Sequence, residues 1–225
     1  MKAVVSTAIE DYLKTIYELT ISRDRASTNQ IADALDIKPA SVTGMVKKLS
    51  TCEPPLVDYQ KHHGVSLTHE GEKIALETIR HHRLLETFLY ETLGFDWDTV
   101  HEEADRLEHV ISEEFEERIA HVLGEPTHDP HGDPIPTRDL KMPVQTSTRL
   151  SDLRVGQQAI VQRVPDSNSE LLRYIGSHGI SPGTCIEVTA YSELDENLSL
   201  RIPNHPGIVV LGIRITRHIF VEVLA

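Results

Sequence analysis

The residues best suited to chemistry lie in one stretch, His101-Glu102-Glu103-Ala104-Asp105-Arg106-Leu107-Glu108-His109. On a helix, Asp105, Glu108 and His109 stand at i, i+3 and i+4 and share one face, with His101 one turn earlier on the same side. Val100, Leu107 and Ile111 take the apolar side. Carboxylates converging with imidazoles are the donor set of a divalent-cation site. A solvated acidic helix face is the other reading, and the spacing leaves both open. The zinc-protease pattern His-Glu-x-x-His does not occur. Neither a nucleophile triad nor a phosphate-binding glycine loop accompanies the stretch, so the chain is not expected to be an enzyme. His82 and Glu86, at i and i+4 on the preceding helix, and Asp11 on the first helix could add donors if the three helices meet.

The charge distribution sharpens this reading. The chain has 225 residues and a formal net charge of −13. Residues 1–71 hold 8 basic and 9 acidic residues, residues 72–140 hold 6 and 18, and residues 141–225 hold 8 and 8. The middle segment therefore carries almost all of the excess (6 − 18 = −12) and also 7 of the 13 histidines. General attraction to nucleic acid is not expected, because phosphate binding needs local positive charge. No stretch approaches the ~18 apolar residues of a membrane helix. The run Met1-Lys2-Ala3-Val4-Val5-Ser6 is too short for a signal peptide. Two cysteines, Cys52 and Cys185, cannot build a disulfide scaffold, so a cytoplasmic protein is expected.

The elements that must position these residues follow from periodicity. Ile9, Leu13, Ile16 and Leu19 mark a helix over 7–22. Ser27-Thr28 caps a short helix bearing Ile31, Ala32 and Leu35. Asp36-Ile37-Lys38 turns into a helix opened by Pro39 and striped by Val42, Val46 and Leu49. Leu56-Val57 and Val65-Ser66-Leu67 flank a polar turn and read as a hairpin. Helix, short helix, turn, helix, hairpin is the order of a DNA-binding winged helix-turn-helix. Three helices should follow: one from a Thr68 cap to about Leu93, one over 97–111, and one from a Ser112 cap to Leu123-Gly124. Their apolar faces (Leu84/Leu85/Phe88, Val100/Leu107/Ile111, Ile119/Val122/Leu123) suit a dimerisation layer. Proline and glycine make 125–145 a linker. Beyond it, period-two segments near 159–161, 185–188, 198–200 and 219–223, turns at 181–183 and 203–207, and one helix near 170–177 describe a small β-barrel.

Three segments carry a resemblance: Glu10-Asp11-Tyr12-Leu13-Lys14-Thr15-Ile16-Tyr17-Glu18, Arg80-His81-His82-Arg83-Leu84-Leu85-Glu86, and Val100-His101 through Glu108-His109. With Gly132-Asp133-Pro134-Ile135-Pro136 in the linker, they make the chain similar to the diphtheria toxin repressor family of metal-activated transcriptional repressors, over nearly its whole length. The resemblance implies a mainly α fold with β: a winged helix-turn-helix (1–71), a helical metal-binding and dimerisation domain with linker (72–140), and an SH3-like, FeoA-like barrel (150–225). It implies a homodimer on a double-stranded DNA operator, with no membrane and no small-molecule substrate as partner.

By the same resemblance, Asp11, Asp105, Glu108 and His109 are the primary metal ligands, with His82 a neighbour shared between sites. Glu86 and His101 match ancillary positions. Asp129-Pro130-His131 is similar to a Cys-Pro-His of some manganese members, which implies a secondary site from Glu86, Asp129 and His131, completed by Asp166 or Glu170. Iron-activated members carry Met at position 11 and Cys at position 105. Aspartate at both favours Mn²⁺, since hard oxygens suit it. Fe²⁺ is the alternative, with Co²⁺, Ni²⁺, Zn²⁺ or Cd²⁺ able to bind in vitro. Lys14 stands where compact manganese regulators use a Glu for a two-metal cluster, and Asn168 and Leu171 fall where iron repressors draw ligands from the barrel. Lys38, Ser41, Thr43, Lys47 and Lys48 would face DNA from the recognition helix, and Lys61, His62 and His63 from the wing. A winged-helix regulator that senses something other than metal is the remaining alternative.

Overall fold

The computed structural model describes residues 6–21, 23–166, 168–203 and 205–224. Met1 to Val5, on which the expectation about a signal peptide rests, and Asn204, inside the expected 203–207 turn, lie outside the described residues. The chain forms two compact units. The first holds the residues up to His82 together with Glu108–Ile111 and Pro136–Met142; the second holds Arg83–Leu107, Ser112–Ile135 and the chain from Pro143 onward.

In the first unit, helices α1 (Thr7–Thr20), α2 (Thr28–Ala34) and α3 (Pro39–Thr51) precede a hairpin of β1 (Val57–Gln60) and β2 (Gly64–Leu67), and α4 (His69–Glu91) begins after it. Leu13, Ile16, Ile31, Val42, Val46, Leu49, Val57 and Val65 bury together, as the helical and two-residue periods require. Ser27 closes a capping box with Gln30, satisfying two amide donors at the start of α2. Thr68 Oγ1 accepts from the Gly71 amide and starts α4. Val57 opposes Leu67 and Gln60 opposes Gly64, so residues 61–63 alone turn the wing. Ala26 pairs with Val65 in both directions (2.9 and 2.8 Å), which adds the α1–α2 connection to the hairpin edge. Gly64 permits this at φ 101, because a Cβ there would overlap the Ala26 carbonyl.

In the second unit the middle helix is shorter than the expected 97–111. Helix α5 spans only Val100–Leu107, and α6 spans Glu113–Val122. Thr99 and Val100 amides both donate to the Asp96 carbonyl, so 97–99 is a turn. At the other end Ser112 takes an extended conformation and its hydroxyl accepts from the Phe115 amide, which stops α5 early in order to start α6. Trp97, expected within the helix, instead packs against the barrel core.

The barrel is a five-stranded antiparallel sheet in the order β6-β5-β4-β3-β7. Its strands are β3 (Gln158–Arg163), β4 (Cys185–Ser192), β5 (Asn197–Arg201), β6 (Ile208–Leu211) and β7 (Phe220–Val223), with helices α7 (Ser169–Ser177) and α8 (Ile213–Thr216). Ala159, Val161, Ile186, Val188, Leu198, Leu200 and Val221 form the core with Leu172 and Ile175 of α7. Strand β6 and helix α8 were not expected from sequence. Ile208-Val209-Val210-Leu211 is an unbroken apolar run, and such a run hides the alternation that buries only Val209 and Leu211.

Part of the expected linker is buried. Residues Asp129 and His131 to Pro136 are buried. Asp129 Oδ1 accepts from the amides of His131 and Asp133, both at 2.9 Å, and folds the segment into a turn. The Val164 amide donates to the His131 carbonyl at 2.9 Å and fixes the turn to the end of β3.

Candidate metal centre

In the first unit, α1 and the 108–111 segment bring together three of the expected ligands. One donor atom each from Asp11, Glu108 and His109 lies within 4.8 Å of the others. His109 Nε2 is 2.9 Å from Asp11 Oδ1 and 3.3 Å from Glu108 Oε1. Its other ring nitrogen, Nδ1, is 2.6 Å from Glu10 Oε2. A carboxylate on the far nitrogen is the arrangement that orients a metal-binding imidazole and raises its basicity. Glu10 is therefore a positioning residue that the spacing argument missed; its place beside Asp11 was the available signal.

Glu108 is 2% exposed. Its Oε2 is 2.5 Å from His82 Nδ1 and 2.8 Å from Lys14 Nζ. Burial pushes this carboxyl up, but the His82 hydrogen bond and the Lys14 charge outweigh it and hold it below the usual range. Burial acts on Asp11 in the same sense and wins there, aided by the Glu108 charge and opposed by His109, so Asp11 is raised. Asp11 is the more open donor, with a side chain 42% exposed against 1% for Glu108.

The expected single helical face through Asp105, Glu108 and His109 is broken by the end of α5 at Leu107. Asp105 stays on the helix and belongs to the second unit, where its Oδ2 is 3.6 Å from His101 Nε2. His101 Nδ1 is 2.9 Å from Glu86 Oε1.

The second unit gathers Glu86, Asp129 and His131, all buried, with donor atoms within 4.8 Å of one another. His131 Nε2 is 2.9 Å from the Trp97 carbonyl, which as an acceptor fixes a proton on that nitrogen and leaves Nδ1 facing Glu86 Oε2 at 3.7 Å. His131 Nδ1 and Asp129 Oδ2 are buried with no hydrogen-bond partner. Orphaned buried donors of this kind call for an unseen ion or water. Burial alone would lower the imidazole, yet the Glu86 carboxylate facing it at 3.7 Å and the charge of Asp129 carry it to about 9. Asp129 is pushed well above the carboxylate range by burial first and then by Glu86 and Asp133. Arg83 partly balances the group, with Nε 3.8 Å from Asp129 Oδ2 and Nη1 donating to the Pro134 carbonyl. Among the described residues, Asp166 and Glu170 are not gathered into this donor set.

Helix α3 buries Val42, Val46 and Leu49 and leaves Ser41, Lys47 and Lys48 exposed on other faces. Lys38 is its N-cap and is exposed, as are Lys61, His62 and His63 in the wing turn. Thr43 is half-buried, and its hydroxyl donates to the Pro39 carbonyl at 3.0 Å.

Three family models match the chain. Residues 5–65 match "Iron dependent repressor, N-terminal DNA binding domain", residues 68–137 match "Iron dependent repressor, metal binding and dimerisation domain", and residues 148–223 match the FeoA domain. The iron-dependent repressor IdeR of Mycobacterium leprae (strain TN) is 31% identical over 223 residues, covering 93% of this chain and 94% of that protein. The chain belongs to the iron-dependent repressor family. This family, which includes the diphtheria toxin repressor, consists of metal-dependent DNA-binding transcriptional repressors. IdeR of Mycobacterium tuberculosis (strain ATCC 25618 / H37Rv) is 38% identical over 136 residues, and that match spans 60% of this chain but only 58% of the relative. A solved structure described as "Manganese-dependent transcriptional repressor complex with manganese" is 38% identical, with a TM-score of 0.88 over 96% of this chain and 100% of the other. Iron-dependent and manganese-dependent members of the family are thus both among its relatives.

Proposed function

We propose that this chain is a Mn²⁺-activated, homodimeric repressor that binds operator DNA and controls metal-homeostasis genes. The observation that carries the proposal is the convergence of Asp11, Glu108 and His109, two hard carboxylate oxygens and one imidazole nitrogen with no sulfur among them. Oxygen-rich donors suit Mn²⁺, whereas thiolate and thioether favour softer metals. Asp105, one turn before Glu108 in the sequence, is the proposed further donor, and His82 the group that holds Glu108. Glu86, Asp129 and His131, with His101 on Glu86, form the proposed second site. Its two orphaned buried donor atoms support this assignment.

A divalent ion bound at the first site would supply the positive centre that lets two buried or half-buried carboxylates share one locus. The chain's own residues do the rest. Asp11 carries the demand into α1, which packs with α2 and α3 in one core. His109, oriented by Glu10, carries it into the 108–111 segment. The order imposed on α1 is passed to α3, whose exposed polar face meets the major groove. In a dimer, two such helices must match half-sites about 34–36 Å apart or a multiple of that. Phe115 and Val122 are exposed on α6, and this apolar surface, within the region that matches the dimerisation model, suits a second copy.

Lys47 is assigned to phosphate. Replacing it with alanine is expected to weaken operator binding several-fold, alike across operator sequences, and to reduce the logarithmic salt slope by about one. Anisotropy titrations over a salt series measure both.

The proposal is tested by operator binding in chelator, then with Mn²⁺, then with Fe²⁺ under anaerobic conditions. Binding that needs metal and saturates at lower free Mn²⁺ than Fe²⁺ supports it. Metal-indifferent binding contradicts it. A lower Fe²⁺ requirement would favour the iron reading, to which the mycobacterial relatives lend weight.

A further inference from the structure

Lys14 lies three residues after Asp11 on α1, so the two side chains share a helix face. Its ammonium sits 2.8 Å from Glu108 Oε2 and 3.2 Å from His82 Nδ1. The two oxygens of Glu108 thereby face different partners. Oε1 looks toward His109 Nε2 and the Asp11 side, while Oε2 is held by Lys14 and His82. A carboxylate this buried is costly unless a positive charge accompanies it. Lys14 provides that charge from within the chain, at the edge of the donor set proposed for the metal.

We infer that Lys14 is a resident counter-cation that sets the metal threshold of the Asp11–Glu108–His109 site. It stabilises Glu108 when no divalent ion is bound, and its charge disfavours an ion arriving on the same carboxylate. Both effects raise the free-metal concentration at which the site fills. An ammonium on Oε2 also closes that side of Glu108 to a second ion. The inference rests on the proposed metal-binding role of this site.

The experiment uses the full chain and Mn²⁺ alone, read by the electron paramagnetic resonance of free Mn²⁺, with thermal unfolding in chelator as a second readout. Lys14→Met and Lys14→Gln remove the charge; Lys14→Arg keeps it. Circular dichroism establishes that each variant is folded. A unit charge held on the same carboxylate that would receive the ion opposes it even when screened, so Met and Gln are expected to tighten Mn²⁺ binding about tenfold or more. Arg should leave it near the wild-type value. In chelator, Met and Gln should melt below Arg, and added Mn²⁺ should raise their midpoints by more than it raises that of the wild type. Met and Gln variants that bind Mn²⁺ no more tightly than the wild type overturn the inference about Lys14. The site reading has its own control: Asp11→Asn in the wild-type background must remove one bound Mn²⁺, and if it removes none the site assignment fails, whatever Lys14 does.

Discussion

Replacing His109 with alanine should abolish metal-activated operator binding while leaving the winged helix folded. His109 joins α1 to the 108–111 segment beside the Lys14–Glu108 pair, with Glu10 on one ring nitrogen and Asp11 and Glu108 on the other. Removing the ring deletes a proposed ligand and also the contact that aligns the two carboxylates. Loss of a partner that merely orients a ligand costs 10–100-fold in metal affinity, so loss of this ligand should cost on the order of a hundredfold or more. The core of Leu13, Ile16, Val42 and Val46 does not depend on the ring, and residual metal-independent DNA affinity should survive. Operator titrations against free Mn²⁺ measure the shift. A variant with wild-type metal response would remove His109 from the account.

Gly132→Val is the second severe change. Gly132 sits at φ 89, a region that L side chains rarely adopt, and its Cα is packed on the end of β3. A Cβ there would overlap the Gln162 carbonyl oxygen and lie 2.9 Å from Arg163 Cα. Backbone cannot yield as a flexible side chain can. The neighbouring hydrogen bond from Val164 to the His131 carbonyl should break, and with it the placement of Asp129 and His131 beside Glu86. Strain and overlap together should cost about 3 kcal/mol or more. The checks are the unfolding midpoint and the Mn²⁺ bound per chain, which should fall by one. A valine variant with wild-type stability and stoichiometry would mean that the close approach is not needed.

These expectations draw on features that differed in how far the sequence announced them. The winged helix was legible because its signals are local: the Ser27 cap, Pro39 at the start of α3, and stripes of Ile and Val at helical spacing. The barrel was legible in outline, but β6 was not, because a wholly apolar run has no period to read. Helix α5 ends short of what its spacing suggests, since Glu108 and His109 continue a helical spacing beyond the point where the Ser112 cap takes the chain. Proline and glycine mark the 129–136 segment as a linker, but its partners cannot be read from its own residues. Its burial depends on Arg83 and on the amide of Val164, partners far away in the chain. The contact of Lys14 with Glu108 and the role of Glu10 are hidden for the same reason: their partners lie 94 and 99 residues away. Candidate ligands could be read from type and spacing, whereas the residues that hold and oppose them appear only in three dimensions.

Crystals of the full chain grown with Mn²⁺ offer the most direct test, by anomalous scattering measured at the manganese edge. A peak bonded to Asp11, Glu108 and His109 is the predicted result. No density there, in crystals fully loaded with manganese, would contradict the assignment of this site and the metal-controlled DNA binding built upon it.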